Sequence, residues 1–343
     1  MTNDVAIVGT SSWGTTLGLM LSRNGLRVRL WVRTEEEAER LNRDRENSRH
    51  LPGLPFPEGL TATASIEQAL VKADVVILAV PSQDMRGNVK LISRYLDTST
   101  LILSVAKGLE LDRAKRMSQV IAEEVDPGLH PNICVLSGPN LAGEIARGLP
   151  AATVVAALDA SVATRAQKVM ASSKFRVYVN TDVVGVELGG VLKNVIALAA
   201  GMVDGLELGD NTKAGLMTRG LAEITRLGVA AGASPMTFAG LAGLGDLVAT
   251  CSSPLSRNRF VGQELARERP LAGIQASMAG TAEGITATVA ALTMASALKV
   301  SMPIAEEVRR VLYDGVDVRQ AVVNLMQREL KHEYADIAPQ HPR

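Results

Sequence analysis

A doubly wound α/β sheet domain followed by an all-α domain is the fold class this sequence predicts, and three observations predict it. Short β-branched runs alternate with longer amphipathic stretches through the N-terminal part of the chain. The runs are apolar throughout, as in strands covered on both faces, and do not alternate as strands with one wet face do. After about residue 181 the strand signals stop, and stretches rich in Ala, Leu, Gly and Met continue to about residue 332.

The runs lie at 5–8, 28–32, 75–80, 101–103, 133–136, 153–155 and 177–179. Helical patterns separate them, which predicts a parallel sheet with helices on both faces. Segment 47–59 carries Pro52, Pro55 and Pro57 and reads as an irregular surface loop. The domain boundary falls near 180, so residues 1–180 form the sheet domain and 181–334 the helical one. Residues 335–343, with Pro339 and Pro342, read as a flexible tail.

Bulk properties narrow the function. The 343 residues are 47% hydrophobic, enough for two cored domains. Lysine plus arginine equals aspartate plus glutamate at 36 each, so no global field draws in nucleic acid or an anionic membrane. The longest apolar run, 195–203, is far short of the roughly 20 residues that span a bilayer, and no membrane insertion is expected. The N-terminus lacks the basic region and long apolar stretch of a secretory signal. Cys134 and Cys251 are far apart without metal-ligand spacing, so reduced thiols in a cytoplasmic protein are expected, with no metal site.

Gly9-Thr10-Ser11-Ser12-Trp13-Gly14 follows the first run directly and opens a helix. That is the setting of a phosphate-binding turn, where backbone N–H groups and the positive helix end face a pyrophosphate. Gly9 permits the sharp turn and Gly14 close packing of helix on strand. Ser11 stands where a dinucleotide fingerprint has its second glycine. The second run ends at Trp31-Val32-Arg33-Thr34, and an arginine there can accept a 2′-phosphate, so either NADP or NAD is open. Val80-Pro81-Ser82 and Ala106-Lys107-Gly108 end two further runs and should edge the same cleft.

Glu187-Leu188-Gly189-Gly190-Val191-Leu192-Lys193-Asn194 reads as a buried helix carrying one cation. Each helical glycine costs roughly 1 kcal/mol relative to alanine, which suggests that another backbone or a ligand passes close by. Desolvation of Lys193 would lower its pKa and make it a proton acceptor near neutrality. The alternatives are that Lys193 snorkels to solvent or merely pairs with Glu187 or another carboxylate. Gly240-Leu241-Ala242-Gly243-Leu244-Gly245-Asp246 leads into a carboxylate that would orient the lysine or cap a helix. Ser256-Arg257-Asn258-Arg259 suits a phosphate or carboxylate. His50, His130, His332 and His341 all lie outside these segments, so lysine chemistry fits better than histidine chemistry.

Several ordered motifs together resemble the bacterial NAD(P)-dependent glycerol-3-phosphate dehydrogenase family, over about residues 5 to 313. They are the Gly9 to Gly14 turn with Trp13, Arg45-Glu46-Asn47 leading to Leu51-Pro52-Gly53, Lys107-Gly108-Leu109-Glu110 and Ser137-Gly138-Pro139-Asn140. The Glu187 to Asn194 helix, Gly243-Leu244-Gly245-Asp246-Leu247 and Leu255-Ser256-Arg257-Asn258-Arg259 complete the set.

The resemblance implies a Rossmann-type domain and interconversion of dihydroxyacetone phosphate with sn-glycerol 3-phosphate for phospholipid synthesis, in a homodimer. It implies Lys193 as proton acceptor with Asp246 beside it, and Asn194 and Thr250 as polar neighbours of the substrate. Lys107, Gly138, Asn140, Ser256, Arg257 and Asn258 would bind substrate. Gly9, Ser11, Ser12, Trp13, Gly14, Arg33, Lys107, Ala142, Arg257 and Glu283 would bind cofactor. Ser11, Asn140 and Thr281 depart from the family pattern, and the Ser11 side chain is expected to weaken dinucleotide affinity or to shift the pyrophosphate. The rival readings are a hydroxyacid or ketopantoate-type dehydrogenase on the same architecture, and a catalytically silent nucleotide-binding relative.

Overall fold

The computed structural model describes residues 4–278, 280–330 and 332–333, so the expected tail at 335–343 and His341 lie outside the described residues. The chain forms two compact units. The first runs up to Glu110 and resumes with Lys115–Glu187; the second takes Leu111–Ala114 and the residues from Leu188 onward.

Among the described residues the first unit holds ten strands: β1 (Asp4–Val8), β2 (Arg27–Trp31), β3 (Leu60–Thr63), β4 (Val75–Leu78), β5 (Leu101–Ser104), β6 (Leu109–Glu110), β7 (Lys115–Arg116), β8 (Ile133–Ser137), β9 (Ala151–Ala156) and β10 (Phe175–Asn180). Eight of them make one sheet in the order β10-β9-β8-β5-β4-β1-β2-β3, and β6 and β7 form a separate antiparallel pair. β1 pairs in parallel with β2 on one side and β4 on the other, so the order reverses at β1. Successive residues of a strand feed opposite cores. Val5 and Ile7 join Leu17, Leu30 and Phe175 on one face, while Ala6 and Val8 join Met85, Val89 and Ile121 on the other.

Two features depart from the expected sheet. β9 runs antiparallel to β8, so the sheet is parallel-dominated rather than wholly parallel. A parallel return usually crosses the sheet through a full helix, and the 138–150 connection contains only the short helix Ala142–Ala146. β3 went unread because it is a short edge strand in which Leu60 and Ala62 are buried while Thr61 is exposed, a pattern without an apolar run.

The second unit is helical. Helix Val183–Gly205 begins in the first unit and continues as the core of the second. It is much longer than the apolar run within it and would meet the length and hydropathy of a membrane span, but 94% of its most apolar window is buried inside the protein. Helices Gly209–Ala230, Asp246–Ser252, Arg257–Ala266, Glu283–Leu298, Pro303–Tyr313 and Val318–Met326 belong to the same unit. At Gly189 an added Cβ would stand 2.6 Å from the Ala242 carbonyl oxygen, so a second backbone does pass against this helix. That backbone is a π-helical turn, Leu241–Gly245, which delivers Asp246.

Candidate active site

The chemistry-bearing residues of the first unit gather beyond the carboxyl ends of its central strands. Gly9 follows β1 with φ +108°, where a Cβ would lie 2.7 Å from the Ala79 carbonyl oxygen. A Cβ at Gly14 would lie 2.3 Å from the Gly9 carbonyl oxygen, so no other residue fits at either position without moving backbone. Ser11 caps helix Ser12–Arg23: its Oγ accepts the Gly14 N–H at 3.3 Å and donates to the Ala79 carbonyl at 3.2 Å. The Ser11 hydroxyl is therefore held between the Gly14 N–H of the turn and the Ala79 carbonyl just beyond β4. Ser12 Oγ donates to the His50 carbonyl at 2.9 Å. Asn47 supports the turn from behind, its Nδ2 donating to the Thr10 carbonyl at 2.9 Å and to Thr15 Oγ1 at 2.8 Å.

Against this turn lies a cavity of about 350 Å³, lined by Gly9, Thr10, Ser11, Arg33, Glu37 and Asp84 among others. It sits at the reversal of strand order, where open α/β sheets bind dinucleotides. The glycine turn, the capped helix start and this crevice fit a nicotinamide dinucleotide. The buried Trp13 Nε1 lacks a hydrogen-bond partner among the described residues. Gly9, Ser11 and Arg33 reach the cavity; Ser12, Trp13 and Gly14 form the same turn without lining it. Ala142 opens helix Ala142–Ala146, and its carbonyl accepts from Thr16 Oγ1 at 3.2 Å.

A second group sits at the ends of β5 and β8. Lys107 Nζ donates to the Gly138 carbonyl at 2.8 Å. Thr153, fully buried on β9, donates to the Ser137 carbonyl at 2.7 Å and accepts from Asn140 Nδ2 at 3.1 Å. Because the Thr153 proton goes to Ser137, Asn140 must turn its amide N–H₂ toward Thr153. Sequence reasoning assigned no role to Thr153, and it quoted Asn47 only within the Arg45-Glu46-Asn47 motif, without its place behind the turn. A threonine inside an apolar strand was the one available signal for the first.

In the second unit Lys193 is buried, 5% exposed, and so are Asp246 and Thr250. Lys193 Nζ is ion-paired with Asp246 Oδ1 and lies 2.6 Å from Thr250 Oγ1. Thr250 stands one helical turn after Asp246 and donates to its Oδ1 at 3.3 Å. Of the alternatives for Lys193, escape to solvent and pairing with Glu187 are ruled out, while pairing with another carboxylate is what the structure shows, that carboxylate being Asp246. Lys193 does not reach solvent, and Glu187 instead accepts from Arg116 Nη1 at 2.5 Å and from Ser118 N and Oγ at 2.8 and 2.6 Å.

The polar residues beside the lysine tie segments together. Asn258 Nδ2 donates to Asn194 Oδ1 at 2.9 Å, and Asn258 Oδ1 accepts the Gly284 N–H at 2.9 Å. The neighbours of Lys193, Arg257 and Glu283 are thus linked in one buried chain. Ser256 caps helix Arg257–Ala266 by accepting the Arg259 N–H at 3.2 Å. Of the two arginines, Arg259 is held by Asp204, Nε to Oδ2 2.5 Å, together with Lys213. Arg257 makes no hydrogen bond among the described residues. It is an exposed residue whose guanidinium packs at Gly280, where a Cβ would stand 2.4 Å from Nη1. Although the residue as a whole is exposed, partial desolvation of the guanidinium draws its pKa below the ordinary value, and Glu283 opposes that shift. Cys251, beside Thr250, is inert: burial pushes its thiol up to about 12. No group of His, Cys, Asp and Glu able to hold a metal occurs among the described residues.

One unit by itself holds a dinucleotide crevice, and the other by itself holds a buried lysine–aspartate pair and an arginine that makes no hydrogen bond among the described residues. Two family models match the chain. The NAD-dependent glycerol-3-phosphate dehydrogenase N-terminus covers residues 4–163, and the C-terminus of the same family covers 182–323. The chain belongs to the NAD-dependent glycerol-3-phosphate dehydrogenase family. It is 52% identical over 332 residues to the glycerol-3-phosphate dehydrogenase [NAD(P)+] of Dehalococcoides mccartyi, spanning 96% of this chain and 92% of that one. The enzyme of the same name from Corynebacterium kroppenstedtii is 49% identical over 330 residues, 96% of this chain and 99% of its own. The solved glycerol-3-phosphate dehydrogenase of Coxiella burnetii superposes with a TM-score of 0.90 at 36% identity, covering 95% of this chain and 99% of that one. Within this family the lysine, aspartate and arginine segments all fall in the matched C-terminal region.

Proposed function

We propose that this chain interconverts dihydroxyacetone phosphate and sn-glycerol 3-phosphate with NAD or NADP. The observation that carries the reading is the buried Lys193–Asp246–Thr250 cluster, in the same unit as an arginine whose donors are unspent. The bound nicotinamide supplies the hydride donor or acceptor. Glycine-turn residues Gly9 to Gly14 and Arg33 would hold the cofactor, with Lys107 and Ala142 at neighbouring strand ends.

Lys193 acts on the substrate oxygen at C2. As the ammonium it gives a proton to the carbonyl oxygen in the reductive direction, and as the amine it takes the hydroxyl proton in the oxidative one. Asp246 balances the ammonium charge in a site nearly closed to water, and Thr250 fixes the direction of Nζ. Arg257 binds the phosphate through its planar fork, and that remote binding energy holds C2 in register for reaction. Asn194 and Asn258 keep the lysine and arginine segments in fixed relation, so they act through position as much as through contact.

The cytoplasm, a homodimeric state and supply of the phospholipid backbone complete the proposal; the free, buried Cys134 and Cys251 agree with a reducing compartment. A steady-state assay of dihydroxyacetone phosphate reduction with NADH and with NADPH tests the activity. Turnover of unphosphorylated hydroxyacids or ketopantoate in its place would favour the rival dehydrogenase, and cofactor binding without turnover would favour the silent relative.

A further inference from the structure

The cofactor cavity contains a charge that the family reading leaves without a role. Glu37 lines it, one turn inside helix Glu35–Asp44, beside Arg33 and Asp84. Thr10, the second residue of the glycine turn, donates to Glu37 Oε1 at 3.0 Å. This bond pins the carboxylate across the crevice, while Oε2 takes part in no hydrogen bond among the described residues. Glu37 is half-buried, whereas Arg33 is exposed and makes no ion pair among the described residues. The charged residues lining the cavity are therefore one solvated cation and two carboxylates, one of them fixed. Glu35 and Glu36 add further negative charge to the same helical turn.

We infer that Glu37 selects the cofactor by its adenosine ribose, accepting from the hydroxyls of NAD(H) and repelling the 2′-phosphate of NADP(H). The inference rests on the proposed dinucleotide-binding function and decides between the two cofactors it leaves open. A carboxylate held by a neutral hydroxyl keeps its charge and its direction, so an unphosphorylated diol gains a charge-assisted hydrogen bond there. A phosphate dianion at the same point meets like charge at partly screened distance. Arg33, free to move in solvent, recovers only part of that cost, because an exposed cation is screened more than a half-buried anion.

Isothermal titration of the full chain with NADH and with NADPH tests this without relying on turnover. The wild type should bind NADH about tenfold more tightly than NADPH, the ratio one like-charge contact at this screening supports. Glu37→Gln preserves the shape and the bond from Thr10 but removes the charge. It should close most of that gap by tightening NADPH, leaving NADH within about threefold. Raising the salt should narrow the wild-type gap in the same direction. A wild type that binds NADPH as tightly as NADH, or a gap indifferent to Glu37→Gln, overturns the inference. Turnover of dihydroxyacetone phosphate with such an indifferent gap leaves the proposed activity standing. A gap that Glu37→Gln closes, in a protein that does not turn over that substrate, upholds the inference while the activity fails.

Discussion

Glu223 gives a stability prediction whose size follows from its surroundings. It sits on helix Gly209–Ala230, 2% exposed, and its carboxylate accepts the Ile304 and Ala305 N–H groups at 2.8 and 3.4 Å. Helix Pro303–Tyr313 lacks a side-chain cap of its own, since Met302 stands at its N-cap, so Glu223 caps it from a neighbouring helix. Burial pushes the Glu223 carboxyl up from 4.5 to about 7, against the opposing pull of the Ile304 N–H and Arg226. The folded state therefore holds a proton that the unfolded chain releases at lower pH. The stability associated with the protonated acid is fully present below about pH 4.5 and is lost as pH rises through about 7. At about 1.4 kcal/mol per pH unit the loss amounts to about 3 kcal/mol. Glu223→Gln keeps an acceptor for Ile304 and removes the titration. Its melting temperature should match the wild type at pH 5 and exceed it at pH 8 by roughly 6 to 12 °C, read by scanning calorimetry. A difference that does not change between these pH values, or a variant less stable at pH 8, would refute the reasoning.

Lys193→Ala should lower kcat for dihydroxyacetone phosphate reduction by about 10²- to 10⁴-fold, with NADH affinity by titration nearly unchanged. Near-normal turnover would remove the proposed proton carrier. Arg257→Ala should raise KM for the phosphate ester far more than it affects cofactor affinity, at a cost of about 3 kcal/mol for a charge-assisted fork; an unchanged KM would move the phosphate site elsewhere. Ser11→Gly should leave cofactor affinity equal or slightly improved and cost only a few tenths of a kcal/mol in stability, because glycine is a tolerated N-cap. A marked loss of affinity would make the Ser11 hydroxyl a direct contact.

The parts of the molecule legible in the sequence are those whose signals are local. The runs that became β1, β4, β5 and β8 are apolar at every position because both faces of the sheet are covered. The burial of Lys193 was readable because apolar residues flank it at every helical spacing. Gly189 was readable as a close approach, since a helical glycine is unfavourable without one. β3 was not readable, for an edge strand needs only one buried residue in two.

The order of residue types along the chain by itself determined a covered sheet followed by a helical unit, a strand–glycine turn–helix at the start, and a lone cation in an apolar helix. These follow from side-chain period and backbone freedom, which act between near neighbours. Tertiary structure alone decided the direction of β9, the choice of Asp246 over Glu187 as the partner of Lys193, and which arginine of Ser256-Arg257-Asn258-Arg259 stays unspent. Asp246 is paired with Lys193 although the two are 53 positions apart, and Asp204 captures Arg259 across 55. The choice among carboxylates of equal chemistry depends on which one packing brings within hydrogen-bond distance, and no local pattern encodes that distance.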